Sequence, residues 1–187
     1  SFLTRRAGRA FPQLTASDMA RRGFKHIHIG EVASLVAHPE ILDAARGLGA
    51  TLSADCGWDD DFDPSALEAF VGTLDVFLPN ESEMAVLQRA GIGERMAALT
   101  VVKQGSEGAM LLSEGGSLTA PALTTAVVDS TGAGDAFNAG FLSKWLSGAP
   151  HQACLEAGNH RGAVSVATRG GFSAAASPMT ELGIAGE

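Results

Sequence analysis

Short apolar runs alternate with amphipathic stretches along most of the chain. KHIHIG (25–30), ATLSAD (50–55), DVFLPN (75–80) and LTVVKQG (99–105) have the length and the bounding residues of short strands. Between them, PEILDAARGLG (39–49), DPSALEAFVGTL (63–74) and ESEMAVLQRAG (81–91) read as helices. Pro39 suits a first helical turn, Asp63 is placed to cap the next helix before Pro64, and Gly49 suits a helix end.

Beyond residue 105 the pattern changes. GAMLLSEGGSLTAPAL carries two apolar runs around Gly115-Gly116, a hairpin signal. TAVVD (125–129) predicts one more strand. GDAFNAGFLSKWLSG, with Phe137, Phe141, Leu142 and Trp145 at helical spacing, and PHQACLEAGNHRGAVSVAT (150–168) predict two closing helices. Strands alternating with helices predict an α/β fold, a largely parallel sheet flanked by helices. The 187 residues fit a single domain. Ligands in such folds bind beyond the carboxyl ends of the strands.

Charge and composition narrow the function. There are 13 basic and 21 acidic residues, a formal net charge of −8, which argues against a nucleic-acid partner. The short basic clusters Arg5, Arg6, Arg9 and Arg21, Arg22, Lys25 read as solvated surface. No apolar run is long enough to span a membrane, and no apolar signal core is visible. The two cysteines, Cys56 and Cys154, form no CxxC, so a reducing cytoplasmic setting is expected. His26 and His28 form an HxH on one strand face without a nearby third ligand, and Asp59, Asp60 and Asp61 beside Trp58 read as a solvated loop. Asp55, at a strand end on the ligand side, is the acidic residue to watch.

The chemistry concentrates in DSTGAGDAFNAG, Asp129 to Gly140. Gly132, Ala133 and Gly134 put small side chains at a helix start, where backbone N–H groups and the helix dipole favour an anion. Asp135 follows on the first turn. A carboxylate beside a bound phosphate is repelled by it, so this position makes sense for a base that takes a proton from an attacking hydroxyl. A Walker A loop and a GxGxxG fingerprint both fail on spacing.

DSTGAGDAF resembles the C-terminal signature of the ribokinase-like, phosphofructokinase B type sugar kinases, D-[TS]-T-G-A-G-D-x-F, at every position. PNESE (79–83) is similar to the family's N-x-x-E motif, and VVKQGSEGAMLL (101–112) to its strand–glycine–strand segment. AGNHRGAVSVATRGG (157–171) is similar to its closing helix and loop. The resemblance covers roughly residues 25 to 172 and implies a three-layer ribokinase-like fold. It implies an ATP-dependent phosphotransferase acting on a hydroxyl of a small sugar or sugar acid. Asp135 would be the base, and the Gly132, Ala133 and Gly134 amides would stabilise the transferring phosphoryl group. Asn80 and Glu83 would hold Mg²⁺, largely through water. Lys103 would meet a phosphate, Gly105 and Gly108 would let the backbone approach ATP, and Asn159 would lie near the adenine. Asp129 and the loop around Gly170 would frame a monovalent cation such as K⁺ in members that have one.

The family's N-terminal GGxxxN sugar-binding segment and its lid strands are not found in this sequence. Residues 1–187 therefore read as the C-terminal nucleotide-binding and catalytic part of such a kinase, with strand edges open to association, a homodimer among the options. Two alternatives stay open: a nucleotide-binding fragment without kinase activity, and a nucleoside kinase of the same family.

Overall fold

Strand-forming runs fix the architecture. The computed structural model describes residues 23–57, 63–70, 72–93 and 95–169. Six strands form one sheet in chain order: β1 (His26–Ile29), β2 (Thr51–Asp55), β3 (Val76–Leu78), β4 (Leu99–Lys103), β5 (Ala109–Ser113) and β6 (Gly116–Ala120). β1 to β4 are parallel. β5 and β6 turn back as antiparallel neighbours, with Thr100 opposite Leu112 and Met110 opposite Thr119. The hairpin turn is Glu114-Gly115, and Gly116 already belongs to β6.

Parallel neighbours need crossovers. α1 (Val32–Ala37) and α2 (Glu40–Leu48) link β1 to β2, and α3 (Glu81–Arg89) links β3 to β4. α1 was not anticipated from the sequence. Where a helix was expected over 63–74, the chain makes a 3-10 segment, Pro64–Phe70. The closing helices α4 (Ala133–Leu146) and α5 (His151–Val166) match their expected positions.

The sheet separates two cores, as the side-chain alternation of strands requires. One face carries Ile29, Leu52, Ala54 and Phe77 against Val32, Leu35, Leu67 and Leu87. The other carries Val76, Leu78, Val101 and Leu111 against Phe137, Phe141, Cys154 and Leu155 of α4 and α5. This second face changes character towards β1. There the alternation presents His26, His28, Thr51, Ser53 and Asp55. The His26 ring bonds the hydroxyls of Thr51 (2.8 Å) and Ser53 (2.9 Å), and the His28 ring also bonds Ser53 (2.7 Å). The HxH is thus absorbed into a hydroxyl network, and no cluster of three or more metal-ligating side chains occurs among the described residues.

The expected strand at 125–129 does not form. Residues 121–129 run as an irregular segment with Leu123, Val127 and Val128 exposed. The amides of Val128 and Asp129 both donate to the carbonyl of Val166 at the end of α5 (2.7 and 3.1 Å). A helix end, rather than a neighbouring strand, satisfies this backbone. No described helix is long and apolar enough to cross a membrane. The acidic run Asp59–Asp61, Trp58, the early arginines and the loop around Gly170 lie outside the described residues.

Candidate active site

The carboxyl ends of β2, β3 and β4 and the start of α4 meet around one cavity of about 700 Å³. Its walls include Asn80, Glu83, Lys103, Gly105, Gly108 and Asn159. Ala133 and Gly134 close it at the head of α4. Residues widely spaced in sequence thus gather at the carboxyl end of the parallel strands.

The glycine-rich turn is built from local rules. The Asp129 carboxylate accepts from the Thr131 amide (2.9 Å), which makes the turn, and Gly132 caps the helix with a left-handed backbone at φ +75°. Only glycine adopts that conformation without strain. The Ala133 amide bends back to the Ser130 carbonyl (3.2 Å), whereas no backbone acceptor takes the Gly132 or Gly134 amide among the described residues. First-turn amides of a helix lack intrahelical acceptors, and these are suited to an anion. Asp135 stands exposed on the first turn of α4, beside the cavity wall rather than on it.

Behind the turn lies a buried ion pair. Lys103 Nζ donates to Asp55 Oδ2 at 2.6 Å, with the two side chains only 13% and 10% exposed. Asn138, 2% exposed, donates to the same Asp55 oxygen (2.5 Å) and accepts from Lys103 (3.3 Å). The other Asp55 oxygen accepts from the Cys56 amide (2.7 Å). The Lys103 ammonium also faces the glycine turn, 3.5 Å from where a Cβ on Gly134 would stand. Sequence reasoning assigns Asn138 no task, and it singles out Asp55, at a strand end on the ligand side, without naming its partners. Burial pushes the Cys56 thiol well up, with the Glu83 and Asp55 charges adding to it, so this cysteine is inert as a nucleophile.

Asn80 and Glu83 form a capping box at the start of α3. The Glu83 amide donates to Asn80 Oδ1 (2.9 Å), and the Asn80 amide donates to Glu83 Oε2 (2.7 Å). Their oxygens border the cavity while bonded to backbone, an arrangement that suits a hydrated cation better than a directly ligated one. Gly108 has φ +105°, and a Cβ there would come within 2.1 Å of the Ala120 carbonyl oxygen. Its absent side chain therefore admits the neighbouring backbone of residues 120–122. Asn159 clamps the same segment, donating to the carbonyls of Ala120 (2.9 Å) and Pro121 (3.1 Å).

A family model for the pfkB family of carbohydrate kinases matches residues 11–177. This chain belongs to the pfkB family. It is 32% identical over 163 residues to an ATP-dependent ribose-1-phosphate kinase of Halopiger xanaduensis, a match that takes in 82% of this chain and 52% of that protein. Among solved structures, the Burkholderia thailandensis nucleoside kinase in complex with inosine superposes with a TM-score of 0.68 at 21% identity, over 79% of this chain and 51% of that one. A protein assigned as ribokinase II of E. coli, in complex with ATP and Mg²⁺, gives a TM-score of 0.68 at 23% identity, over 85% of this chain and 58% of that one. Both structures carry the same three-layer fold. This pfkB chain spans about half the length of the relatives it matches.

Proposed function

We propose that this chain provides the nucleotide-binding and phosphoryl-transfer half of a kinase that moves the γ-phosphoryl group of ATP to a hydroxyl of a sugar, sugar acid or nucleoside. The observation that carries the reading is the head of α4: a glycine turn that reaches the cavity wall at Ala133 and Gly134, where no backbone acceptor among the described residues takes the Gly134 amide, and Asp135 one residue further on. The cavity side of the turn takes the phosphates, and the carboxylate on its other side takes the proton of the acceptor hydroxyl.

Each residue has a stated role in this reading. Asp135 accepts the hydroxyl proton as the oxygen attacks phosphorus. The amides at Gly132, Ala133 and Gly134 hold negative charge as the phosphoryl group transfers. Lys103 adds a fixed positive charge on the same side. Gly105 and Gly108 shape the floor under the nucleotide, and Asn159 stands at its base-binding end. Asn80 and Glu83 would hold Mg²⁺ through water, an ion that screens phosphate charge when bound. Asp129 would border a site for a monovalent cation such as K⁺.

The test is Asp135→Asn, with transfer from Mg·ATP to ribose 1-phosphate, ribose, 2-dehydro-3-deoxygluconate and inosine measured beside ATP binding. The expected loss of transfer is about 10²–10⁴-fold with ATP affinity kept. Transfer near the wild-type rate would overturn the base assignment. A second reading, nucleotide binding without turnover, draws support from Asp135 standing exposed beside the cavity rather than on its wall. Wild-type protein that binds ATP and phosphorylates none of the four acceptors would favour it.

A further inference from the structure

Asn138 is a polar residue on the buried face of α4, which is otherwise apolar. Its neighbours Phe137, Phe141 and Leu142 all enter the core, whereas its own side chain meets a buried ion pair. Buried ionic networks seldom stabilise a fold more than well-packed apolar replacements do. With the Asp55–Lys103 pair already buried, the carboxamide supplies a donor that the carboxylate would otherwise lack, so it stabilises the pair as well as fixing its arrangement. Asn138 follows Asp135 by three residues, so one turn of α4 carries both. Its amide donates on one side and accepts on the other, and the two partners are the two halves of the Asp55–Lys103 pair.

A lysine ammonium is a point charge on a flexible stem. A single bond to Asp55 fixes its distance and leaves its direction open. The second bond, to Asn138 Oδ1, fixes the direction. Two of the three N–H groups of Lys103 are used this way, and the ammonium is left next to Gly134 on the cavity wall.

We propose that Asn138 is a positioning residue of the transfer site: its carboxamide holds the Asp55–Lys103 pair in the arrangement that turns the Lys103 ammonium towards the glycine turn. The inference rests on the reading of Lys103 as a phosphate contact. Asp55 is the anchor, Lys103 the group that meets phosphate, and Asn138 the side chain that sets the angle between them.

The experiment reads Lys103 directly. Its rate of acetylation is measured by mass spectrometry in the wild type, in Asn138→Leu and in Asn138→Asp, with and without Mg·ADP. Lys25 and Lys144, both exposed, serve as internal standards. In Asn138→Leu the Lys103 rate is expected to rise at least fivefold relative to those standards, and phosphoryl transfer to fall about 10–100-fold, as for loss of a partner that orients a site residue. In Asn138→Asp the shape is kept but the donor to Asp55 is lost and a second carboxylate takes the ammonium. There Lys103 is expected to label at least threefold more slowly than in the wild type while transfer still falls. Unchanged Lys103 labelling in a folded Asn138→Leu protein overturns the proposal. If that variant does not fold, wild-type labelling and transfer in Asn138→Asp overturn it. Protection of wild-type Lys103 by Mg·ADP is a separate arm. Its absence removes the phosphate-contact reading of Lys103, while the labelling of the variants still decides whether Asn138 holds the ammonium.

Discussion

The ring of Phe137 occupies the space that a side chain on Gly158 would need: a Cβ there would stand 2.6 Å from Cε2. The same close approach recurs less than one turn along the helix pair, where a Cβ on Gly140 would come within 2.5 Å of the Ala157 carbonyl oxygen. In an exposed helix interior, glycine to alanine stabilises by about 1 kcal/mol. At both positions here the sign reverses. Gly158→Ala and Gly140→Ala are each expected to lower stability by about 1–3 kcal/mol, read from denaturant melts. Gly140 is the more sensitive of the two, because its obstacle is backbone while the Phe137 ring can tilt.

Gly108 tests the junction between the β4–β5 turn and the irregular segment after β6. Alanine there combines a left-handed φ with a collision against residues 120–122. Gly108→Ala is expected to cost about 2–4 kcal/mol in a denaturant melt and to weaken ATP binding. Retained ATP affinity in a folded variant would show that this junction does not shape the nucleotide site.

The capping box separates two roles of one side chain. Gln at an N3 position closes a capping box as Glu does. Glu83→Gln is therefore expected to keep the melting temperature, while the Mg²⁺ concentration needed for half-maximal transfer rises severalfold. Asn80→Ala is expected to lose about 1 kcal/mol of stability. An unchanged Mg²⁺ requirement in Glu83→Gln would leave Glu83 with a purely structural task.

Desolvation is the largest influence on both strand histidines and pushes them below their ordinary value; nearby carboxylates pull the other way without reversing the direction. A histidine that is harder to protonate when folded favours unfolding wherever the unfolded chain binds the proton. Its contribution is complete above the unfolded value of 6.5 and is lost as pH falls below it towards the folded value. The melting temperature is expected to drop between pH 7 and pH 5. Replacing His26 and His28 by Asn should flatten that slope, and an unaltered slope would assign it to other groups.

The sequence shows most of this fold because its signals are local. Pro39 and Gly49 bracket α2, Gly115 marks the hairpin, and DSTGAGD states its turn outright. The stretch 125–129 misleads because β-forming residues there find no strand partner, and the end of α5 takes the Val128 and Asp129 amides instead. The 64–70 segment has helical composition but closes as a 3-10 turn. At the site, Asp135 and the glycines are legible because they share one motif. Asn138 sits inside that motif and is still opaque, since its meaning comes from side chains elsewhere in the chain. Gly108 was expected to make room for a ligand, and its nearest demand is from the protein's own backbone.

The partners of Asn138 bear on how the molecule comes together. Asp55 is 83 residues away along the chain and Lys103 is 35 away, and those two are 48 residues apart. Helices and the hairpin can form from local contacts, but contacts of this span come only after long loops have closed. The ion pair and its carboxamide exist only where β2, β4 and α4 are packed together. Secondary structure alone makes no site; the assembled sheet and its covering helix make it.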